Sequence, residues 1–191
     1  MSNKEVILQK ALEIFATEGY MGTGVQKIVD EAGVTKPTMY HYFGSKEGLL
    51  RSIYEIHFSK LLSNILELLP YNGDIIKTME DLVTIYIKLA TNEPLFFWLA
   101  DHLRRSPRKG EAYKIVSTYY KSEHDAINEL FVAITQYHTN LIGKEAFLVS
   151  AYLSLINGYI EASLSEDMTV QITKEEIHLL AKQFLYGIFS L

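Results

Sequence analysis

Residues 25–46, VQKIVDEAGVTKPTMYHYFGSK, constrain the fold most strongly because they encode two short helices joined by a tight turn. One apolar face of the first helix consists of Val25, Ile28, Val29 and Ala32. Gly33 can adopt the left-handed conformation that ends this helix. Thr35 occupies the N-cap position of the next helix, and Pro37 lies in its first turn, where a missing N–H is tolerated. This order is typical of a helix-turn-helix, whose second helix projects outward.

The second helix of the motif is predicted from Lys36 to Phe43, with Met39 and Phe43 facing inward. The opposite face then carries a cation, a hydroxyl, a phenol and an imidazole, from Lys36, Thr38, Tyr40 and His41. These groups suit the major groove of DNA, since they can bond phosphates and base edges or contact a thymine methyl. Ser45 is predicted to cap a further helix, where Lys46 and free N–H groups are expected to hold a phosphate.

The first fifty or so residues resemble the DNA-binding domain of the TetR family of bacterial transcription regulators. The matching residues are Phe15, Gly19, Tyr20, Thr23, Ile28, Ala32, Gly33, Val34, Thr38, Tyr40, Tyr42, Phe43, Ser45, Lys46 and Leu49. Two positions depart from the family pattern. Gly24 stands where many members carry a capping Ser or Thr, so Thr23 or bare backbone is expected to contact the phosphate. Val29 replaces a common Ala.

The resemblance implies an all-α fold of about nine helices in two domains. Residues 1–46 would form a three-helix DNA-binding domain with the helix-turn-helix. Residues 47–191 would form a larger helical domain for ligand binding and dimerisation. The contact residues that we expect on DNA are Thr23, Lys36, Pro37, Thr38, Tyr40, His41, Tyr42 and Lys46.

Composition favours a folded cytoplasmic protein, and the resemblance implies a bacterial one that is associated with the nucleoid when bound to DNA. The 191 residues are 48% apolar and 12% aromatic, which argues against disorder. We expect no membrane span, since no apolar run approaches about eighteen residues, and no secretory signal, since residues 1–10 are polar. The absence of cysteine excludes disulfides and thiolate metal sites.

Charge alone would not indicate DNA. The chain carries a net charge of -5, and its first 51 residues hold six basic against six acidic side chains. A basic footprint must come from Lys36 and Lys46, with Lys4 and Lys27 as further candidates. Few phosphate contacts imply modest affinity for one half-site, so specific binding is expected to require a dimer.

Periodicity and capping residues predict the remaining helices. Ser106–Pro107 is interpreted as an N-cap followed by a first-turn proline, and Thr173 with Glu176 as a capping box. The predicted helices run from about Asn3 to Thr17, Lys46 to Leu69, Asp74 to Thr91, Asn92 or Pro94 onward, Ser106 to His138, Lys144 to Ser165, and Thr173 to the end of the sequence.

The last two helices carry unbroken apolar rows that predict an interface. A second row in the first of them, Ser154, Gly158 and Ala162, consists of small residues that allow close helix approach. Intramolecular packing alone is the alternative. The resemblance implies a four-helix dimer interface, with contacts from Tyr152, Leu155, Tyr159, Ile177, Leu180, Phe184 and Ile188. A symmetric dimer would place two reading helices about 34–36 Å apart on a palindromic operator.

Aromatic residues are abundant, with 13 Tyr, 9 Phe and 1 Trp, and predict a small-molecule pocket in the larger domain. Core packing is the alternative for each residue, and the resemblance does not identify the occupant. The candidate contacts are Phe97, Trp98, Asp101, His102, Tyr113, Tyr120, His124, Tyr137, Asn157 and Glu161.

We find no pattern for catalysis, a cofactor or a metal. A phosphate loop would require a strand and a lysine around Gly19, Gly22 and Gly24. Neighbouring His124 and Asp125 point about 100° apart on a helix and cannot form a dyad. The sequence therefore predicts a transcription regulator, most simply a repressor that a small molecule releases from its operator. An activator and a helical adaptor that keeps the motif as a scaffold are the alternatives.

Overall fold

The computed structural model describes residues 2–165 and 169–189, with side chains described as far as residue 187. Nine α-helices occur in these ranges, which confirms the predicted all-α fold. A short 3-10 helix, Thr139–Leu141, precedes the eighth α-helix. The α-helices are α1 Asn3–Glu18, α2 Val25–Glu31, α3 Lys36–Phe43, α4 Lys46–Leu66, α5 Ile75–Asn92, α6 Pro94–Arg105, α7 Glu111–Thr135, α8 Glu145–Ala162 and α9 Lys174–Phe189.

Helix starts follow the predicted capping residues at three points. The Thr38 amide donates to Thr35 Oγ1 over 3.4 Å at the start of α3. The Gly48 amide donates to Ser45 Oγ over 3.0 Å at the start of α4. Before α9, the Glu176 amide donates to Thr173 Oγ1 and the Thr173 amide donates to the Glu176 carboxylate, at 3.2 and 2.7 Å. These local signals position α3, α4 and α9 as expected.

The predicted start of α7 is wrong. Ser106 does not cap it, because the Ser106 hydroxyl donates backward to the Leu103 carbonyl over 2.6 Å and ends α6. A turn follows in which the Gly110 amide donates to the Pro107 carbonyl over 2.7 Å. α7 therefore begins four residues later than the proline, at Glu111. The far ends of α4, α7 and α8 also fall three residues short of the predicted positions.

The first compact unit contains Met1–Ser59 and Leu95–Tyr120. In it, α1 packs against α2 and α3. Tyr54 is buried at its centre, with the rings of Phe96 and Tyr119 5.3 and 5.2 Å away. This unit joins α6 and the first part of α7 to the helix-turn-helix, so it does not coincide with the predicted division at residue 46. The sequence motif ends before the residues that complete the packing.

The second compact unit contains Lys60–Pro94 and Lys121–Leu191. Within it, α5 packs against α8 and α9. Two buried tyrosines make polar contacts inside this unit. The Tyr152 hydroxyl donates to the Met79 carbonyl over 2.9 Å, and the Tyr86 hydroxyl donates to Glu123 Oε1 over 2.6 Å. Across the described residues, no helix combines the length and apolar character needed to span a bilayer.

Burial of Tyr152 predicts a loss of stability in alkali. An unfolded tyrosine ionises at about pH 10, whereas burial raises the pKa of Tyr152 in the folded protein. The folded state keeps a proton that the unfolded state releases, so this stabilisation is present below pH 10 and declines above it. The expected decline in unfolding free energy is about 1.4 kcal/mol per pH unit for this residue.

Denaturant titrations of Tyr152→Phe between pH 8 and 11 test this expectation. At pH 8 the variant should lose about 1–2 kcal/mol, because the Met79 carbonyl loses its buried donor. Above pH 10 its stability should decline less steeply than that of the parent. Tyr40→Phe, at a residue that is 45% exposed and lies outside α8 and α9, is the matched control and should change neither quantity. Equal alkaline slopes for parent and Tyr152→Phe would contradict the prediction.

Candidate nucleic-acid interface

The third helix presents a polar side to solvent because its apolar residues are used in the core. Met39 and Phe43 are buried, and α3 packs through them against α1 and α2. Gly44 ends the helix with φ +71°, in the left-handed region that favours glycine. Six of the predicted DNA contacts belong to this helix. Thr38 is half-buried and the others are exposed, namely Lys36, Pro37, Tyr40, His41 and Tyr42.

The aromatic residues of this surface differ in how firmly they are held. The Tyr42 ring lies 6.1 Å from the buried Phe43 ring and 5.3 Å from the His41 ring. These contacts restrict its orientation along the helix. Tyr40 is 45% exposed and offers both a ring face and a hydroxyl. Tyr40 is thus the larger adaptable contact on the outward side of α3.

Thr23 is placed differently from our expectation. Its side chain is only 2% exposed, and its hydroxyl donates to the Gly19 carbonyl over 2.8 Å. The residue that caps α2 is Gly24, which provides no side-chain hydrogen bond. The expected phosphate contact from the Thr23 side chain is therefore incompatible with this position. Its hydroxyl stabilises the turn between α1 and α2.

Lys46 also turns toward the protein. Its ammonium donates to the carbonyls of Tyr20 and Thr23, over 2.8 and 2.9 Å. The same nitrogen lies 4.1 Å from the centre of the Tyr20 ring. Burial lowers the pKa of Lys46, and the nearby carboxylate of Glu111 opposes that shift. At least two of the three N–H bonds of this lysine are used inside the chain.

Other basic residues near the motif are partly neutralised. Lys27 forms an ion pair with Glu18, and Arg51 forms one with Glu47 over 2.8 Å. Lys36 remains an exposed cation on the reading helix. The positive charge that one chain offers to DNA is therefore small, in line with the sequence.

The predicted dimer contacts divide into two groups. Tyr152 and Leu180 are buried inside the second unit, so their assignment to an intermolecular surface is wrong. Helical periodicity identified a buried face that serves α5, not a partner chain. Four of the others are half-buried, namely Leu155, Tyr159, Ile177 and Phe184. The side chain of Ile188 lies outside the described residues.

A different face of α8 and α9 is exposed. Phe147, Leu179 and Tyr186 are 69%, 64% and 67% exposed, although all three are large and apolar. They accompany the exposed small row Ser154, Gly158 and Ala162, which we call the small-residue row. A groove of about 340 Å³ opens on this face, lined by Lys144, Phe147, Leu148, Leu155, Gln183, Phe184 and Gly187.

Predicted ligand residues in the first unit are mainly engaged in packing. Phe97 and Asp101 are buried, and Asp101 pairs with Arg105 over 3.1 Å. Trp98 and His102 have ring centres 4.3 Å apart. The rings of Tyr113 and Tyr120 lie 6.4 Å apart, and the Tyr120 hydroxyl donates to the Ala100 carbonyl over 2.6 Å. The structure thus brings together Tyr113 and Tyr120, and pairs Trp98 with His102.

The predicted ligand residues of the second unit are more scattered. His124 Nε2 lies 3.4 Å from Ser150 Oγ. Tyr137 is exposed beside the ring of Tyr71, 5.2 Å away. The Asn157 amide donates to the Leu153 carbonyl of its own helix over 2.8 Å, and Glu161 is half-buried.

Sequence reasoning missed the central role of Tyr54 in the first unit. Its hydroxyl lies 2.8 Å from the Tyr120 hydroxyl, and its ring is stacked 5.9 Å from Phe58. The spacing of Tyr54 and Phe58, four residues apart on one helix, was the available signal.

Comparison with known proteins identifies the helix-turn-helix. The family model for bacterial regulatory proteins of the TetR family matches residues 7–53. The chain carries the TetR-family DNA-binding domain. It is 41% identical over 69 residues to YuxN, an uncharacterized HTH-type transcriptional regulator of Bacillus subtilis, covering 36% of this chain and 24% of YuxN. It is 36% identical over 68 residues to the HTH-type transcriptional activator FasR of Mycolicibacterium smegmatis, covering 36% of this chain and 31% of FasR.

The fold likeness extends over nearly the whole chain. The transcriptional regulator FadR of Bacillus subtilis, solved in complex with stearoyl-CoA, aligns with a TM-score of 0.75 and 18% identity. The alignment covers 97% of each chain. The curated relatives, by contrast, match this chain over only about a quarter to a third of their own length. These relatives are named as transcriptional regulators, not as enzymes.

Proposed function

We propose that this chain is a homodimeric transcription regulator of the bacterial cytoplasm that represses genes by binding a palindromic operator. The observation that carries the proposal is α3, which is anchored by buried Met39 and Phe43 and exposes a polar side on a TetR-family helix-turn-helix. We assign DNA contact to the outward residues of this helix, Lys36, Pro37, Thr38, Tyr40, His41 and Tyr42. In this assignment residues 1–46 bind DNA, and residues 47–191 bind the ligand and form the dimer.

One reading helix carries too little positive charge for tight binding to DNA, so the proposal requires a dimer. Two copies joined by a two-fold axis double the number of phosphate and base contacts without any new residue. The exposed face of α8 and α9 supports this assembly, since Phe147, Leu179 and Tyr186 would otherwise leave a large apolar surface in water. The small-residue row allows the helices of two chains to approach closely.

A small molecule is proposed to release the operator by binding better to a form whose reading helices are wrongly spaced. FadR, which shares the fold, was solved with stearoyl-CoA. A long-chain acyl-CoA is accordingly the first class of ligand that we would test. Release of a bound duplex by stearoyl-CoA, but not by free coenzyme A, is the expected result.

Selection of duplexes from a random DNA pool tests the proposal. The purified protein is incubated at near-physiological salt, with and without stearoyl-CoA, and bound duplexes are sequenced. We expect one palindrome whose half-sites are centred about one helical turn apart. A folded, dimeric protein that enriches no sequence under either condition would contradict the proposal and favour the adaptor alternative.

The direction of regulation needs a separate measurement, because FasR is named an activator. A reporter placed behind the selected palindrome should be expressed more strongly when the regulator is absent. Lower expression in its absence would make this chain an activator, with the same reading surface.

A further inference from the structure

We infer that Lys46 is a positioning residue of the reading helix, which ties the turn between α1 and α2 to the first turn of α4. The inference rests on the proposed DNA-binding function and changes the role expected for this lysine. Its charge would contact a phosphate in the sequence-based expectation. In the structure its ammonium holds two main-chain carbonyls instead.

The geometry around the ammonium is that of an internal clamp. Lys46 Nζ reaches the Tyr20 carbonyl at 2.8 Å and the Thr23 carbonyl at 2.9 Å, so one group spans the turn. The nitrogen also lies 4.1 Å from the centre of the Tyr20 ring, at cation–π distance. These hydrogen bonds are charge-assisted and therefore stronger than neutral ones.

The ring beneath Lys46 is itself fixed. Tyr20 is 2% exposed, and its ring meets the ring of Phe15 edge-on at 5.2 Å. Its hydroxyl points toward Glu111 Oε1 at the long hydrogen-bond distance of 3.4 Å. Lys46 therefore rests on a side chain held by α1 on one side and by the first turn of α7 on the other.

The start of α2 lacks a side-chain cap of its own. Gly24 occupies the N-cap position, and the hydroxyl of Thr23 donates to the Gly19 carbonyl. The ammonium of Lys46 does not replace that cap, but it restrains the preceding residue by binding the Thr23 carbonyl. The restraint comes from the first residue of α4, the helix that follows the reading helix.

The hydrogen bonds of Lys46 join the two ends of a short stretch of chain that contains α2 and α3. From the turn, the chain passes through α2 and α3 and reaches α4 after only Gly44 and Ser45. Lys46 then bonds back to the turn where this path began. Because both ends of the path are joined, the tilt of α3 relative to α1 is restricted. Breaking the clamp should let the reading helix move without removing any side chain that faces DNA.

Lys46→Met tests the inference, since methionine keeps an unbranched stem and removes the ammonium. Amide hydrogen exchange of the DNA-free protein should become roughly tenfold faster across residues 23–30. Affinity for the selected palindrome should fall by roughly tenfold or more, while the slope of log affinity against log salt keeps the parent value. A lost phosphate contact would instead reduce that slope by about one per chain.

Two further variants distinguish a positioning role of Lys46 from a phosphate contact. Lys36→Met removes an exposed cation of α3 and should reduce the salt slope by about one per chain without changing exchange at residues 23–30. Lys46→Gln keeps an uncharged donor, so it should recover part of the affinity and exchange protection lost in Lys46→Met. Recovery by Gln would remain informative even if the Met variant were poorly folded.

A reduced salt slope together with parent-like exchange in Lys46→Met would overturn the inference and restore the phosphate contact. Parent-like values of both the salt slope and the exchange rate in Lys46→Met would also overturn the inference. If the parent enriches no duplex at all, the proposed function fails. The exchange measurement then decides the clamp by itself, with unchanged exchange in Lys46→Met counting against it.

Discussion

Gly158→Arg should give a folded protein that no longer dimerises, with a dimer dissociation constant at least about a thousandfold above that of the parent. Gly158 is exposed on α8, and a Cβ added there would meet nothing within 4 Å in the protomer. Arginine is also a better helix former than glycine, by roughly 0.8 kcal/mol. The substitution should therefore stabilise the isolated chain slightly.

The assembled dimer would experience the same change very differently. In the proposed interface the small-residue row faces the partner, so two guanidinium groups would be buried near the two-fold axis, where their bulk and charge oppose the close approach of the helices. A cost of about 2 kcal/mol or more for each accounts for the expected thousandfold weakening. Glycine inside a helix is intrinsically unfavourable, and close approach of a second chain gives a physical reason for it here.

Sedimentation equilibrium and thermal unfolding of Gly158→Arg measure the two effects separately. Val132→Arg, at an exposed apolar residue of α7, is the matched control and should remain dimeric. The monomeric variant should also bind the selected palindrome far more weakly, with the salt slope of a single half-site. A dimer of parent strength in Gly158→Arg would show that the small-residue row lies outside the interface.

The parts of the fold that sequence predicted well are those decided by neighbours along the chain. Thr35 and Ser45 cap the helices that they precede, and Gly33 has φ +64° at the end of α2. Each needs only a few adjacent residues to act. Ser106 shows the limit of this reasoning, since a serine hydroxyl can bond backward to end one helix as readily as forward to begin the next.

The site was less predictable because side-chain direction depends on contacts distant in sequence. Lys46 and Thr23 were both predicted to contact DNA, yet both side chains bind the turn between α1 and α2. Tyr152 belongs to an apolar row of α8, but the carbonyl that it meets lies on α5, 73 residues away. Periodicity identifies which residues share a face, whereas the choice between the core, a ligand and a second chain requires knowing what covers that face.

Tyr40→Ala is expected to remove most of the sequence preference, lowering affinity for the selected palindrome while leaving affinity for random duplexes nearly unchanged. A base contact contributes about 1–3 kcal/mol of discrimination, and a dimer loses two such contacts. The expected weakening for the palindrome is thus between roughly thirtyfold and twenty-thousandfold. Folding should be retained, since Tyr40 is 45% exposed and the anchors of α3 are Met39 and Phe43.

Competition binding with the palindrome and a scrambled duplex measures the preference directly. Tyr40→Phe separates the two possible contributions of the side chain, because it keeps the ring and loses only the hydroxyl. Tyr137→Ala makes the same deletion at an exposed tyrosine outside the helix-turn-helix and should leave both affinities unchanged. If Tyr40→Ala binds the palindrome as tightly as the parent, the base-reading residues lie elsewhere on α3. In that case the other proposed contacts carry the discrimination, namely Lys36, Thr38, His41 and Tyr42.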